Sequence, residues 1–431
     1  MSVSLCIFTK RSACMQLSHL AESLIGSEIV SLGNQIKDKI RQGKHIYNFT
    51  IGDFDSKVFP IPAELESAIL AAYQEGYTNY PPAEGLLELR ESVGNFIRER
   101  EGIAYTPSEI LIASGGRPLI YALYRTIVDK GERVIYTVPS WNNNHYVHFV
   151  EGVHVPIETV AETQFMPTAA QIRPLLEGAS LLALCSPLNP TGTCFTKEQL
   201  EAICDAVLEE NNRRGENEKK LYVMYDQMYW TLTYGETKHY NPISLRPGLK
   251  PYTIFIDGIS KAFAATGVRV GWAFGPERII SKMKAILSHI GAWAPMAEQK
   301  ATAVYLTQSE NVDRHLQSFK AKLEARLSGI YNGLMDLKQK GHPVDAITPQ
   351  GGIYLTVKFD LAGRHTPSGN LLASQDDVTA YLLEYAGLAL VPFKIFGAGA
   401  SAWYRLSVGT CKMEDIPEML SSVRRALESL K

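Results

Sequence analysis

Apolar residues follow two alternating patterns along the chain, short continuous runs and longer stretches with helical spacing. The short runs include ILIAS at 110–114, SLLALC at 180–185 and YTIFIDG at 252–258. Continuous apolar runs of about four to eight residues are typical of strands that are buried on both faces. Because helical stretches such as PLIYALYRTIVDKG lie between many of them, we predict βαβ units around a mostly parallel central sheet flanked by helices.

Two longer segments have the three- and four-residue apolar steps of helices. The first predicts a helix from Met15 to about Lys44, and the second a helical stretch from about Glu277 to Lys340. The remaining C-terminal part alternates strand-like runs, such as GGIYLTVKF and WYRLSVG, with helical ones. This mixture predicts a second, smaller α+β unit.

Composition favours an enzyme of small molecules over a nucleic-acid or membrane protein. The 431 residues include 43 Lys and Arg against 45 Asp and Glu, a formal charge of −2, so no net basic field is present to bind nucleic acid or an anionic membrane. No apolar run approaches the roughly 18 residues of a membrane-spanning helix. The six cysteines are scattered, without zinc-site spacing, which favours a reducing compartment and the cytoplasm; they are Cys6, Cys14, Cys185, Cys194, Cys204 and Cys411.

The segment DGISKAFAATGVRVGW at 257–272 carries the strongest chemical signal. Lys261 comes just after an apolar strand, and Arg269 follows eight residues later between two glycines. Small neighbours allow a close approach of the backbone to a ligand. A planar guanidinium at this distance can bind a phosphate through two parallel hydrogen bonds.

In this segment the chain resembles the class I/II aminotransferases, fold-type I enzymes that use pyridoxal 5′-phosphate (PLP), and the resemblance extends from about Leu17 to Leu430. It implies that Lys261 forms the covalent bond to the cofactor and that Arg269 binds its phosphate. Ser260, directly before the lysine, is kept. Gly258 stands where the family commonly has a serine that also contacts the phosphate.

Two further motifs imply contacts with the cofactor ring. SPLNPTG at 186–192 resembles the family loop whose asparagine, here Asn189, bonds the phenolic oxygen of PLP. LYVMYDQMYW ends a strand in Asp226, which matches the carboxylate at the pyridine nitrogen, and Tyr229 matches the donor to the same phenolic oxygen. A carboxylate at that nitrogen keeps it protonated, which makes PLP an electron sink.

Two other motifs supply candidate residues for binding the PLP phosphate and for covering the face of the pyridine ring. ILIASGGRPLIYAL places Gly115 and Gly116 between a strand and a helix start, where free N–H groups attract a phosphate. In the family the residues after the first glycine line the phosphate, so Gly116 and Arg117 take that role. VPSWNNNH resembles the family stretch whose indole, here Trp141, stacks on the pyridine ring.

The resemblance also implies substrate contacts and a shared site. IGDF at 51–54 places Gly52 against the substrate carboxylate, and AWYRLSVG supplies Arg405 to bind that carboxylate in a bidentate pair. The resemblance also implies that Asn189 contacts the substrate as well as the cofactor. NYPPAEGLLELR carries Tyr80, which in the family reaches the phosphate of the neighbouring subunit and so implies a homodimer.

The family implies a large PLP-binding domain at 58–309 and a small α+β domain formed by both chain ends, 15–57 and 310–431, with an N-terminal extension at 1–14. It implies transamination between an L-amino acid and a 2-oxo acid. An arginine directly after the glycine pair, Arg117, resembles the basic residue with which a bacterial aspartate aminotransferase subgroup holds a second substrate carboxylate. Aspartate or glutamate with 2-oxoglutarate or oxaloacetate is therefore the expected substrate pair.

Two other functions fit parts of the same pattern. A C–S β-lyase or a synthase shares the fold and the core motifs, and the sequence hardly separates it from an aminotransferase. A PLP-sensing transcription regulator would carry a DNA-binding domain of some tens of residues before the PLP-binding part. The predicted first helix near Leu17 and the near-neutral charge disfavour that alternative.

Overall fold

The computed structural model describes residues 17–24 and 28–431, so the predicted extension at 1–14 lies outside the described residues. The strands, in chain order β1 to β13, are Tyr47–Asn48, Ile110–Ala113, Arg133–Val138, Val153–Glu158, Ala179–Cys185, Tyr222–Asp226, Thr253–Gly258, Gly271–Phe274, Val344–Ala346, Tyr354–Phe359, Leu388–Ala389, Val391–Pro392 and Trp403–Ser407. The helices, α1 to α15, are His19–Glu22, Glu28–Arg41, Ala63–Gln74, Leu87–Glu101, Gly116–Ile127, Asn143–Phe149, Ala169–Ile172, Lys197–Arg213, Pro242–Leu245, Ile259–Ala262, Glu277–Ile290, Met296–Leu306, Ser309–Gln339, Gln375–Tyr381 and Ile416–Glu428.

A seven-stranded sheet forms the centre of the larger α/β part. Its strand order is β2-β8-β7-β6-β5-β3-β4, and neighbours from β7 to β4 run parallel. Strand β8 is antiparallel to both of its neighbours. Strands β2, β7 and β8 are buried along their whole length, as the continuous apolar runs predict. The α/β class with a mostly parallel central sheet is confirmed.

The second part is built on a four-stranded antiparallel sheet with the order β12-β13-β10-β9. A separate parallel pair joins β1 to β11, with Tyr47 opposite Leu388, and so brings the two ends of the chain together. Helix α13 packs along this part through apolar residues that include Leu323, Leu327 and Ile330. The limits given for the small domain, 15–57 and 310–431, stay a prediction.

Both long helices expected from the sequence are wrong as continuous helices. The first is interrupted after Glu22, since Ser23 and Leu24 leave the helix and α2 begins only at Glu28. The second is three helices: Gly291 ends α11 in the left-handed conformation, φ +68°, and Pro295 sits at the start of α12. A second break separates Leu306, the end of α12, from Ser309, the start of α13. Among the helices of 17–24 and 28–431, none combines the length and apolar character needed to cross a membrane.

Three neighbouring strands of the large sheet end at the same edge. Cys185 ends β5 opposite Asp226, which ends β6, and β7 ends at Gly258 just before the short helix α10. In open α/β sheets, ligands bind at the carboxyl ends of the parallel strands. This edge therefore carries the candidate site.

Prediction for the core: Phe255→Ala lowers the free energy of unfolding by about 3–5 kcal/mol, the usual cost of truncating a buried phenylalanine. Phe255 is fully buried on β7 and stacks on Phe274 with ring centroids 4.5 Å apart. Chemical denaturation measures the change. Leu371→Ala is the control, because Leu371 is 51% exposed and its loss should stay within about 0.5 kcal/mol. Equal effects of the two substitutions would contradict this packing.

Candidate active site

Lys261 extends from α10 into a buried environment. Its Nζ donates a hydrogen bond to the carbonyl oxygen of Gly52 at 2.7 Å and lies 5.6 Å from the ring centroid of Phe54. The pKa of Lys261 is lowered to about 8, mainly by burial; Asp53 opposes this shift, and the nearby guanidinium groups contribute to it. A substantial fraction of this amine is therefore unprotonated near neutral pH, as a nucleophile or base requires.

Arg405, on β13, is 2% exposed and has no carboxylate partner within the described chain. Its Nη1 donates to Oδ1 of Asn189 at 3.1 Å, and its Nη2 donates to the carbonyl oxygen of Thr50 at 2.8 Å. The Nε atom is buried without a hydrogen-bond partner. Burying an unpaired charge is costly, so an anionic ligand group is the partner this guanidinium lacks.

Asp226 is half-buried at the end of β6. Its Oδ1 accepts a hydrogen bond from the backbone N–H of Met228 at 3.1 Å. Desolvation raises the pKa of Asp226 to about 6, against the smaller opposite effect of that hydrogen bond. The carboxylate is thus ionised at neutral pH but poorly stabilised, and a cationic ligand nitrogen would stabilise it.

Tyr229 lies in the loop after β6, and its hydroxyl is 2.8 Å from the hydroxyl of Tyr354 on β10. Burial raises the pKa of Tyr229 well above its usual value, so the phenol stays protonated. Tyr354 also places its ring 4.6 Å from the guanidinium carbon of Arg405. A Cβ at Gly52 would lie 2.8 Å from the Tyr354 Oη, so only glycine fits there.

The start of α5 forms a second group of hydrogen-bond donors. Gly115 has φ +91°, and α5 begins at Gly116 with no side-chain cap, so its first N–H groups have no partner in the helix. Arg269 reaches this helix start, donating to the carbonyl oxygens of Ser114 and Thr266 at 2.7 Å each. Arg269 itself has a left-handed backbone, φ +65°, a strained conformation of the kind found at binding sites.

Close packing explains why position 258 is a glycine. A Cβ at this position would lie 2.7 Å from the Cα of Gly271 and 2.9 Å from the carbonyl oxygen of Val270, because β7 and β8 approach closely there. A serine would require the two strands to separate. Ser260 is buried directly before Lys261.

Three candidates lie at the edge of this group. Arg117 is exposed, and its guanidinium carbon is 5.2 Å from the ring centroid of Trp141. Trp141 is half-buried and also packs near Phe396, with ring centroids 6.5 Å apart. Tyr80 is 83% exposed and packs edge-on against Trp293; within the described chain it makes no hydrogen bond to the other candidates.

Sequence reasoning missed two residues of the site. Asp53 accepts a hydrogen bond from Oγ1 of Thr266 at 2.6 Å and acts electrostatically on Lys261; its signal was its place beside Gly52 in IGDF. Tyr354 follows a glycine pair in GGIYLTVKF. A tyrosine in an apolar strand is usually a core residue, so the sequence does not mark Tyr354 as part of the site. In the folded chain its hydroxyl lies beside that of Tyr229.

Comparison with known proteins identifies the family. The family model described as aminotransferase class I and II matches residues 44–423. The chain belongs to this family. It is an aminotransferase, and the enzymes of this family depend on PLP. An aspartate aminotransferase from Geobacillus stearothermophilus is 30% identical over 418 residues, which are 96% of this chain and 100% of that protein. An aspartate/prephenate aminotransferase from Thermus thermophilus is 29% identical, covering 95% of this chain and 98% of that protein.

Solved structures show the same fold. The aspartate aminotransferase from Rhizobium meliloti superposes with a TM-score of 0.87 at 28% identity, covering 97% of this chain and 100% of that chain. The aspartate aminotransferase from Thermus thermophilus with maleate gives 0.85 at 29% identity, covering 96% and 100%. Transamination, predicted from the motifs, is thereby confirmed.

Prediction for position 258: Gly258→Ser destabilises the cofactor-free protein by about 1–3 kcal/mol, the usual cost of overpacking, and gives no tighter PLP binding. Chemical denaturation and a PLP titration measure the two effects. Gly267→Ser is the matched control, because Gly267 lies on the same segment with open space around its Cβ position. A stable Gly258→Ser protein with improved PLP affinity would contradict the close approach of β7 and β8.

Proposed function

We propose that this aminotransferase holds PLP at the carboxyl edge of the large sheet and that its preferred amino-acid substrate carries a second carboxylate. One observation carries the proposal. Lys261 Nζ and the Arg405 guanidinium are both buried beside the Thr50–Gly52 backbone, and within the described chain neither has a carboxylate partner. This combination supplies a reactive amine next to a binding group for an amino-acid carboxylate.

The donors around α5 fit a phosphate. The uncapped helix start at Gly115 and Gly116 offers backbone N–H groups, including that of Arg117. Arg269 keeps further N–H groups free beyond its two bonds to carbonyl oxygens. Ser260 adds a hydroxyl. We assign these residues to the cofactor phosphate.

The groups beyond the phosphate fit a pyridine ring. Asp226 would pair with the ring nitrogen, and that pairing would lower its raised pKa. Asn189 and Tyr229 would bond the phenolic oxygen, and the indole of Trp141 would cover one face of the ring. When bound, the cofactor supplies an electron sink for the carbanion at the substrate Cα. Asp226 sustains that sink by holding the ring nitrogen protonated.

Lys261 performs the proton transfers. Its amine would hold the cofactor until a substrate amine takes its place. Once free, the amine would carry the proton between the substrate Cα and C4′ of the cofactor, the carbon on the other side of the substrate nitrogen. Burial favours this role because it keeps the pKa of Lys261 near 8.

Arg405 orients the substrate for that transfer. Its guanidinium would bind the α-carboxylate in a bidentate pair, with Gly52 leaving the space that a side chain would fill. Asn189 links the two binding functions, because its Oδ1 already accepts from Arg405. The proton to be removed is thereby held at a fixed distance from Lys261.

The second substrate carboxylate is assigned to Arg117. This guanidinium is exposed beside Trp141, at the mouth of the site. Several relatives are named aspartate aminotransferases, and the Thermus thermophilus structure holds maleate, a dicarboxylate. We therefore propose aspartate or glutamate as donor and 2-oxoglutarate or oxaloacetate as acceptor.

Assembly and location are proposed from two further observations. Tyr80 is largely exposed and stands apart from the other candidates, which supports a homodimer in which the partner subunit's Tyr80 completes the phosphate site. The free cysteines among the described residues, Cys185, Cys194, Cys204 and Cys411, support a cytoplasmic location.

The decisive experiment incubates the PLP-loaded protein with single amino acids and no 2-oxo acid. We expect aspartate and glutamate to convert the bound cofactor to pyridoxamine phosphate, with release of one equivalent of 2-oxo acid. Spectra and product analysis by mass measure this half-reaction. Release of pyruvate and ammonia with sustained turnover would instead indicate elimination.

Prediction for Lys261: Lys261→Ala still takes up PLP through the phosphate and ring contacts but loses turnover by about 10²- to 10⁴-fold, because the proton carrier is gone. Borohydride reduction followed by peptide mapping measures the covalent bond in the wild type. Lys340 is an exposed lysine directly after the C-terminal end of α13. Lys340→Ala should keep both the covalent bond to PLP and the turnover. A label on another lysine would refute the assignment.

Prediction for Arg117: Arg117→Ala lowers kcat/KM for aspartate and glutamate by about 10- to 150-fold, the loss of one charge-assisted hydrogen bond. Alanine and aromatic substrates, which lack a second carboxylate, should change much less. Arg125→Ala is the matched control, because Arg125 is an exposed arginine on the same helix. Equal losses for acidic and apolar substrates would assign Arg117 to the cofactor.

A further inference from the structure

Tyr354 occupies a central position between two groups of the site. It is buried on β10, with its hydroxyl 2.8 Å from that of Tyr229. Its ring lies under Arg405, 4.6 Å from the guanidinium carbon, while Phe396 covers the guanidinium at 4.9 Å. One side chain thus contacts both Tyr229, which we assign to the phenolic oxygen, and Arg405, which we assign to the α-carboxylate.

The direction of the hydrogen bond between the two phenols follows from their chemistry. A phenol has one proton to donate and can accept at its oxygen. If Tyr229 donates to the phenolic oxygen of PLP, as the proposed function requires, it can only accept from Tyr354. Tyr354 is then the first donor in a chain of two hydrogen bonds, and such chains strengthen each other.

We propose that Tyr354 is a positioning residue with two separable parts: its hydroxyl strengthens the donation from Tyr229 to the cofactor, and its ring holds the Arg405 guanidinium in place. The inference rests on the proposed function for the identity of the cofactor. It adds a residue that acts through Tyr229 and Arg405 and touches neither reacting atom.

The surroundings favour this arrangement. A Cβ at Gly52 would lie 2.8 Å from the Tyr354 Oη, so glycine at this position leaves the hydroxyl free to stay beside Tyr229. The ionisable groups that face the two phenols come from several elements: Arg405 on β13, Asp226 on β6, Cys185 on β5 and Asp53 in the segment after β1.

The first test concerns the hydroxyl. The pH midpoint of the visible absorbance change of the PLP-loaded protein reports the proton shared by Lys261 and the phenolic oxygen. Tyr354→Phe should raise this midpoint by roughly half a unit, since weaker donation makes that proton harder to remove and one neutral hydrogen bond is worth about that much. The KM for amino acids should change less than about twofold, because the ring remains.

A double variant tests whether the Tyr354 hydroxyl acts through Tyr229. In a Tyr229→Phe background the same Tyr354→Phe change should leave the midpoint where Tyr229→Phe alone puts it, because the chain is already broken. Tyr404→Phe is the matched control, since it removes another buried hydroxyl from the same small sheet, bonded to the carbonyl oxygen of Gln375. It should leave the midpoint unchanged.

The second test concerns the ring. Tyr354→Ala should raise the KM for every amino acid by about 2- to 30-fold, the value of a buried cation–π contact, and Tyr354→Phe should restore the wild-type KM. A midpoint shift that persists in the Tyr229→Phe background, or a KM loss with Tyr354→Phe equal to that of Tyr354→Ala, would overturn the inference. Failure of the proposed function is distinct, since the wild type itself would then take up no PLP.

Discussion

Two buried cations organise the site, and the backbone between Thr50 and Gly52 holds both. The carbonyl oxygen of Thr50 accepts from Arg405, and that of Gly52 accepts from Lys261. Desolvating a charge without a counter-charge costs several kcal/mol per ion, so packing from elsewhere must hold these groups in position. The segment can do so because β1, directly before it, is paired with β11, and because the carbonyl oxygen of Phe49 accepts a hydrogen bond from the backbone N–H of Ser407 on β13, the strand that carries Arg405.

Close approaches of the backbone then fix where the other groups stand. A Cβ at Gly258 or Gly271 would collide with backbone of the facing strand or of the α5 start, so β7, β8 and α5 meet at van der Waals distance. Arg269 passes across this junction in a left-handed conformation. The residues that we assign to the phosphate and Lys261 therefore lie on elements that pack closely against one another.

The spacing of apolar residues predicts much of this architecture. It fails where contacts between residues far apart in the sequence determine the structure. Strands β2, β5 and β7 coincide with short apolar runs, Asn189 accepts a hydrogen bond from Arg405, and Arg405 acts electrostatically on Lys261. The roles that the motifs imply for these residues stay predictions. Helical periodicity could not show that Gly291 and Pro295 divide one apolar stretch, because the apolar steps continue through them. The place of Tyr354 in the site could not be predicted, because a tyrosine that only packs in the core and one that hydrogen-bonds there have the same sequence context.

The same groups that weaken the ligand-free protein prepare it to bind. Desolvation opposes the charged forms of Asp226, Lys261 and Arg405, and raises or lowers the pKa of each accordingly. Apolar residues at these positions would remove that penalty and stabilise the fold. In the proposed function, a cofactor with a protonated ring nitrogen and a substrate carboxylate would supply the missing charges, so that binding would relieve this penalty. The desolvation penalty would be relieved most where the bound group carries the most charge. Interactions of this kind stabilise the charges that develop during proton transfer at the substrate Cα.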